Sequence, residues 1–145
     1  MNVQACPYLT VRNAAAALDF YARAFDATEH LRLTEPSGRI GHAEIRIGDA
    51  LIMLADEYPE YGVVGPESRG GTTVSISLLV DDVDGFVKRA VDAGARVLRD
   101  VKDEFYGERT GRIEDPFGHA WQVATRIEDV SPEEMQRRYD ALMAG

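Results

Sequence analysis

The stretch Tyr8-Leu9-Thr10-Val11-Arg12-Asn13 decides how the chain is read, because a segment of the same plan returns at Ser77-Leu78-Leu79-Val80-Asp81-Asp82. In each copy a short apolar run of strand character ends at a polar residue suited to opening a helix. Val11 and Val80 lie 69 positions apart. A turn between two apolar segments recurs at the same interval: Gly48-Asp49 in the first half, Asp115-Pro116-Phe117-Gly118 in the second, with Gly48 and Phe117 again 69 apart. Identity between the halves is low, so the order of elements and the constant offset carry the repeat.

Working outward, residues 4–11 read as a strand and 14–25 as a helix, since Ala14, Leu18, Tyr21, Ala22 and Phe25 fall on one face of a 3.6-residue period. Segments 28–34 and 40–47 read as strands around the turn Pro36-Ser37-Gly38, and 50–55 closes the module. The second half repeats this with a strand at 74–80, a helix at 83–93 stopped by Gly94, and strands near 96–101, 109–114 and 119–125. The reading is an α+β chain of two tandem βαβββ modules forming a curved mixed sheet, one domain over 1–145: module one at about 3–55, a linker at 56–72, module two at about 73–126. Ser131-Pro132-Glu133-Glu134 is a helix start, so a short C-terminal helix is expected within 131–143.

The chain has 145 residues, 45% of them apolar and 28% charged, an ordinary globular balance. With 16 basic and 25 acidic residues the formal charge is -9, a field that repels nucleic acid and anionic membranes. No apolar run has the length of a membrane helix and no secretory leader is visible, so a cytoplasmic location is expected. The single Cys6 excludes an intrachain disulfide and a multi-cysteine zinc site.

Strand alternation sorts the side chains by face. With Gly48-Asp49 as a two-residue loop, Ile45 pairs with Ile52 and Glu44 with Met53. Ala43, Ile45, Ile47, Ile52 and Leu54 then face the helix, and His42, Glu44, Arg46, Leu51, Met53 and Ala55 form an open face. Cys6, Tyr8 and Thr10 join that open face. In the second half, a four-residue Asp-Pro-Phe-Gly loop pairs Gly111 with Gln122 and Arg109 with Ala124. That register puts Arg109 and Gln122 on the open side and Trp121 in the core. Ser75 and Ser77 are also open. Tyr8, Tyr106 and Arg109 are candidates for holding an aromatic or anionic ligand, and His42 beside Glu44 is a candidate acid–base pair.

The paired modules, the segment Ala17-Leu18-Asp19-Phe20-Tyr21 and the turn Asp115-Pro116-Phe117-Gly118-His119 resemble the vicinal oxygen chelate superfamily of glyoxalases, bleomycin-resistance proteins and extradiol dioxygenases. Gly38-Arg39-Ile40-Gly41-His42-Ala43-Glu44 and Tyr106-Gly107-Glu108-Arg109 are similar to its PhnB-like branch. The resemblance implies four metal-ligand positions, which here hold Cys6, Met53, Ser75 and Gln122, in place of the His, Glu or Gln of metal-dependent members. Thioether and hydroxyl groups are poor ligands for a hard or borderline divalent ion. The expectation is therefore a protein without cofactor that binds a small aromatic or polar organic ligand in a sheet-lined cup, as in antibiotic or toxin sequestration, using Tyr8, His42, Glu44, Tyr106, Arg109 and Gln122. The alternative is a glyoxalase-type lyase, isomerase or dioxygenase holding a divalent ion through His42, Glu44 and Gln122. Whether the chain is an enzyme stays open at this stage. The resemblance also implies a homodimer with the cups near the seam.

Overall fold

The computed structural model describes all residues, 1–145. Module one runs β1 (Tyr8–Val11), α1 (Ala14–Phe25), β2 (Thr28–Thr34), β3 (Ile40–Ile47) and β4 (Ala50–Asp56). Module two runs β5 (Ser75–Leu79), α2 (Val83–Ala93), β6 (Arg96–Asp103), β7 (Glu108–Glu114) and β8 (Ala120–Arg126), and α3 (Pro132–Ala144) follows. The strands form two separate four-stranded mixed sheets, ordered β1-β4-β3-β2 and β5-β8-β7-β6. The opening strand of each module is parallel to its last strand and the remaining pairs are antiparallel. No helix is long and apolar enough to cross a membrane.

The repeat extends to individual hydrogen bonds. Asn13 caps α1 through the amide of Ala16, and Asp82, 69 residues later, caps α2 through Gly85. The Asp56 carboxylate accepts the amide of Ala14 at 2.7 Å, and the Thr125 hydroxyl, again 69 residues on, accepts that of Val83 at 2.8 Å. Each bond satisfies an amide that the first turn of a helix leaves without an internal partner.

Both helices and the inner faces of both sheets share one core. Val11, Ile45, Ile52 and Leu54 contribute from the first sheet, and Ile113, Trp121 and Val123 from the second. Aromatic rings join the modules: Phe25 stacks on Phe86 with centroids 5.1 Å apart and meets Trp121 edge-on at 4.8 Å. Burial of each such side chain is worth about 2 kcal/mol. At the centre is the Asp115 carboxylate, 2% exposed. It accepts from Tyr21 Oη at 2.5 Å, Trp121 Nε1 at 2.9 Å and the amides of Phe117 and His119. Burial, followed by the charge and hydrogen bond of Asp115, pushes the Tyr21 phenol well above its ordinary value.

Three expectations need adjustment. The opening strand starts at Tyr8, leaving Cys6 ahead of it. The linker contains two 3₁₀ turns, Pro59–Tyr61 and Pro66–Arg69, and a bridge between Tyr58 and Val63. Arg39 holds it, with its guanidinium 4.1 Å from the centre of the Tyr58 ring and 3.0 Å from Glu60. The third correction is a register shift in module two. Between β7 and β8 the loop has five residues, Asp115 to His119, closed by the Asp115 amide on the His119 carbonyl at 2.9 Å. Gly111 therefore pairs with Val123, and Gln122 pairs with Arg112. Arg109 moves to the helix side of the sheet, where it pairs with Asp84 of α2 and with Asp103. Those hydrogen bonds hold its guanidinium firmly in the charged form. One added loop residue inverts the facing of a whole strand.

Candidate functional site

The open face of the first sheet follows the expected register. Tyr8 of β1 pairs with Met53 of β4, Met53 with Glu44 of β3, and Glu44 with Leu31 of β2. His42 stands two residues before Glu44 on the same face and pairs with Leu33. Tyr8 reaches across β4 to place its Oη 2.7 Å from His42 Nδ1, and His42 Nε2 lies 2.8 Å from Glu44 Oε2. Three of the sequence-predicted residues thus form one hydrogen-bonded chain, Tyr8–His42–Glu44. Tyr8 is half exposed, and His42 and Glu44 are partly buried.

The chemistry of the chain follows from its ends. A carboxylate only accepts, so neutral His42 carries its proton on Nε2 and donates to Glu44, leaving Nδ1 to accept the Tyr8 hydroxyl. When His42 is protonated, both ring nitrogens donate, and the Tyr8 hydroxyl proton is free to turn toward a ligand. Burial, and then the Glu44 charge, raise the Tyr8 pKa, so the phenol stays a donor. Leu31, Leu33 and Met53 surround these groups, giving an apolar floor with one polar anchor.

Tyr8 also lines a cleft of about 460 Å³ with Pro7, Val74, Ser75, Ile76 and His119. The cleft runs between the edge strands β1 and β5, and His119 Nε2 spans it to the Thr10 carbonyl at 2.9 Å.

The other predicted residues lie elsewhere. Gln122 is on the second sheet, between Ser77 and Arg112. Tyr106 occupies the β6–β7 turn, edge-on to Phe105 at 5.2 Å, beside Pro132 and Met135 of the C-terminal segment. Arg109 is held on the helix side by its two aspartates and does not reach the open face. The register instead puts Arg112 there, with Arg99 and Thr110 on the same side. The signal for it is the spacing Asp/Glu-x-x-Gly-x, which in the β7–β8 loop is Asp115-Pro116-Phe117-Gly118-His119. Gly38, Gly107 and Gly118 hold φ near +93, +92 and +93 in three loops closed in the same way, after Glu35, Glu104 and Asp115. Only glycine adopts that conformation without strain.

A divalent metal does not fit the donors present. Met53 offers a thioether, Ser75 a hydroxyl opposite Ala120, and Gln122 an amide on the other sheet. His42 already uses both ring nitrogens, and Gln122 does not join His42 and Glu44. No three His, Cys, Asp or Glu side chains are grouped to hold a metal ion. Cys6 is a partly buried free thiol.

Residues 4–123 match the family model of the Glyoxalase/Bleomycin resistance protein/Dioxygenase superfamily. The chain is 42% identical over 133 residues to the uncharacterized protein Rv0887c of Mycobacterium tuberculosis, covering 90% of this chain and 78% of that one. Protein PA1353 from Pseudomonas aeruginosa has a similar structure, with a TM-score of 0.70 and 27% identity over 88% of this chain and all of that one. The fosfomycin resistance protein FosX from Listeria monocytogenes, solved with Mn(II) and sulfate, shares the fold at a TM-score of 0.66 and 16% identity, over 96% of this chain and 98% of that one.

Proposed function

We propose, from the premise that this chain belongs to the Glyoxalase/Bleomycin resistance protein/Dioxygenase superfamily, that it binds a small aromatic or polar organic ligand on the open face of its first sheet, without a metal. The observation that carries the reading is the Tyr8–His42–Glu44 chain, a pre-oriented polar anchor on a surface lined by Leu31, Leu33 and Met53. Such a site works by shape, stacking and a few directed hydrogen bonds. The manganese of FosX belongs to that protein. Here the family ligand positions carry Cys6, Met53, Ser75 and Gln122, a set whose chemistry disfavours a catalytic ion.

The test is a thermal-shift screen of small metabolites and antibiotics, with titration calorimetry of each hit on wild type, Tyr8→Phe and His42→Ala. Hits on wild type that bind His42→Ala at least about tenfold more weakly support the reading. Absence of any hit, binding by both variants as tight as by wild type, or one equivalent of zinc or manganese in untagged protein overturns it.

The fixed tautomer favours a second reading, metal-free acid–base catalysis. His42 would take a proton while Glu44 stabilises the imidazolium, a division of labour that orients a base without a Lewis acid. A turnover rate that disappears in His42→Ala would support it. A homodimer also belongs to the proposal, supported by the exposed Leu33 and Leu79 on the two open faces. A monomeric mass by light scattering counts against it.

A further inference from the structure

We propose a second binding site, for a small oxyanion, on the open face of the second sheet, formed by Arg112, Arg99, Gln122 and Thr110. It does not rest on the first-sheet reading.

The site occupies the positions that correspond to the Tyr8–His42–Glu44 chain. Met53 and Gln122 lie 69 residues apart, and their antiparallel partners are Glu44 and Arg112. Two residues earlier on each strand stand His42 and Thr110. The parallel partners of Met53 and Gln122 are Tyr8 and Ser77. Where the first sheet has a tyrosine, a histidine and a carboxylate, the second has a serine, a threonine and a guanidinium.

The first-sheet groups satisfy one another, and the second-sheet groups do not. Arg112 of β7 pairs directly with Arg99 of β6, like charge opposite like charge. Neighbouring side chains at such a position start about 5 Å apart and repel. The chain has 25 acidic residues against 16 basic ones, yet neither arginine has a carboxylate partner. Gln122, beside Arg112 in the same row, is half-buried and its amide makes no side-chain hydrogen bond. The next row holds the strongest sign. The Thr110 hydroxyl is wholly buried and has no hydrogen-bond partner. A buried donor left unpaired is a standing cost that native proteins rarely carry without a ligand or ordered solvent to satisfy it.

One oxyanion answers all of these needs. It accepts from both guanidinium forks, from the Gln122 amide and from the Thr110 hydroxyl, and it removes the arginine repulsion. The other charges of this face are committed or flank the row. Glu114 pairs with Arg96 at 3.2 Å, Lys102 approaches Glu104 at 3.7 Å, and Glu108, in the row next to Thr110, stands opposite Arg126. The chemical class is a carboxylate or phosphoryl group of a small organic acid. A neutral ligand would leave the two cations opposed.

The probes are inorganic phosphate and acetate, titrated against the intact protein at constant ionic strength set with sodium chloride. Unfolding temperature and calorimetric affinity are the readouts. We expect at least one probe to raise the melting temperature of wild type and of Tyr8→Phe equally. Arg112→Gln, and independently Arg99→Gln, should bind at least about tenfold more weakly. Thr110→Val should raise the melting temperature of the anion-free protein and weaken binding, because it removes both the unpaired hydroxyl and a donor. A phosphate-only response identifies a phosphoryl site and an acetate-only response a carboxylate site, and both support the proposal. It is overturned if neither probe binds, if both arginine variants bind like wild type, or if Tyr8→Phe abolishes the response and so moves the anion to the first sheet.

Discussion

The two open faces are made by the same module and differ in how their polar groups are satisfied. On the first sheet, Tyr8, His42 and Glu44 bond to one another in a line. On the second, Ser77, Thr110 and Arg112 occupy the matching places, and Thr110 and Arg112 find no partner among the protein's side chains. The capping bonds, by contrast, recur at the same interval in both halves, through Asn13 and Asp82 and through Asp56 and Thr125. A duplicated scaffold keeps the bonds that build it and lets its exposed faces diverge, which is how one fold hosts different chemistries.

The comparison can be broken outright by removing what supports both faces. Asp115→Ala leaves Tyr21, Trp121 and two amides without their acceptor, so we expect a loss of about 3 kcal/mol or more in urea unfolding, with both faces affected. A smaller change separates them. His42→Ala should cost about 1 kcal/mol of stability and abolish binding on the first sheet while leaving the phosphate response intact.

Tyr21 gives a pH-dependent version of the same test. Its folded-state pKa is raised by burial and by Asp115, so the phenol is protonated in both states below its ordinary value of 10.0. Above that pH the unfolded chain ionises first, and stability should fall as pH rises through this window. Tyr21→Phe should reduce that alkaline slope while costing about 1 kcal/mol at neutral pH. The smallest effect is expected from Arg109→Gln. Arg109 faces Asp84 and Asp103 on the helix side, so the substitution should leave binding on both faces unchanged in calorimetry.

Arg109 also shows where the sequence stopped being legible. Gly48-Asp49 is a two-residue hairpin loop, which leaves the register of β3 and β4 no freedom, and the facing of His42, Glu44 and Met53 follows from it. Asp115 to His119 looks like a four-residue turn, but its carboxylate also gathers the His119 amide and draws that residue into the loop. A tertiary hydrogen-bond network therefore decided the register, and periodicity alone could not supply it. The strand count, both helices and the shared core were readable, because apolar spacing and cap residues are local signals. The Tyr8–His42 bond was not, since it crosses a whole strand between residues 34 apart in sequence.

The tie between the modules has a consequence for how the chain could be divided. Tyr21 reaches Asp115 across 94 residues, and His119 reaches the Thr10 carbonyl across 109. Each half thus contributes groups that are satisfied only by the other. The connecting segment passes through Gly70 and Gly71, both with positive φ and both exposed. A chain severed between these glycines would give two pieces, neither with a complete core, that recognise each other through Asp115 and the rings around it. Such a pair would make a split reporter, unfolded apart and folded on mixing.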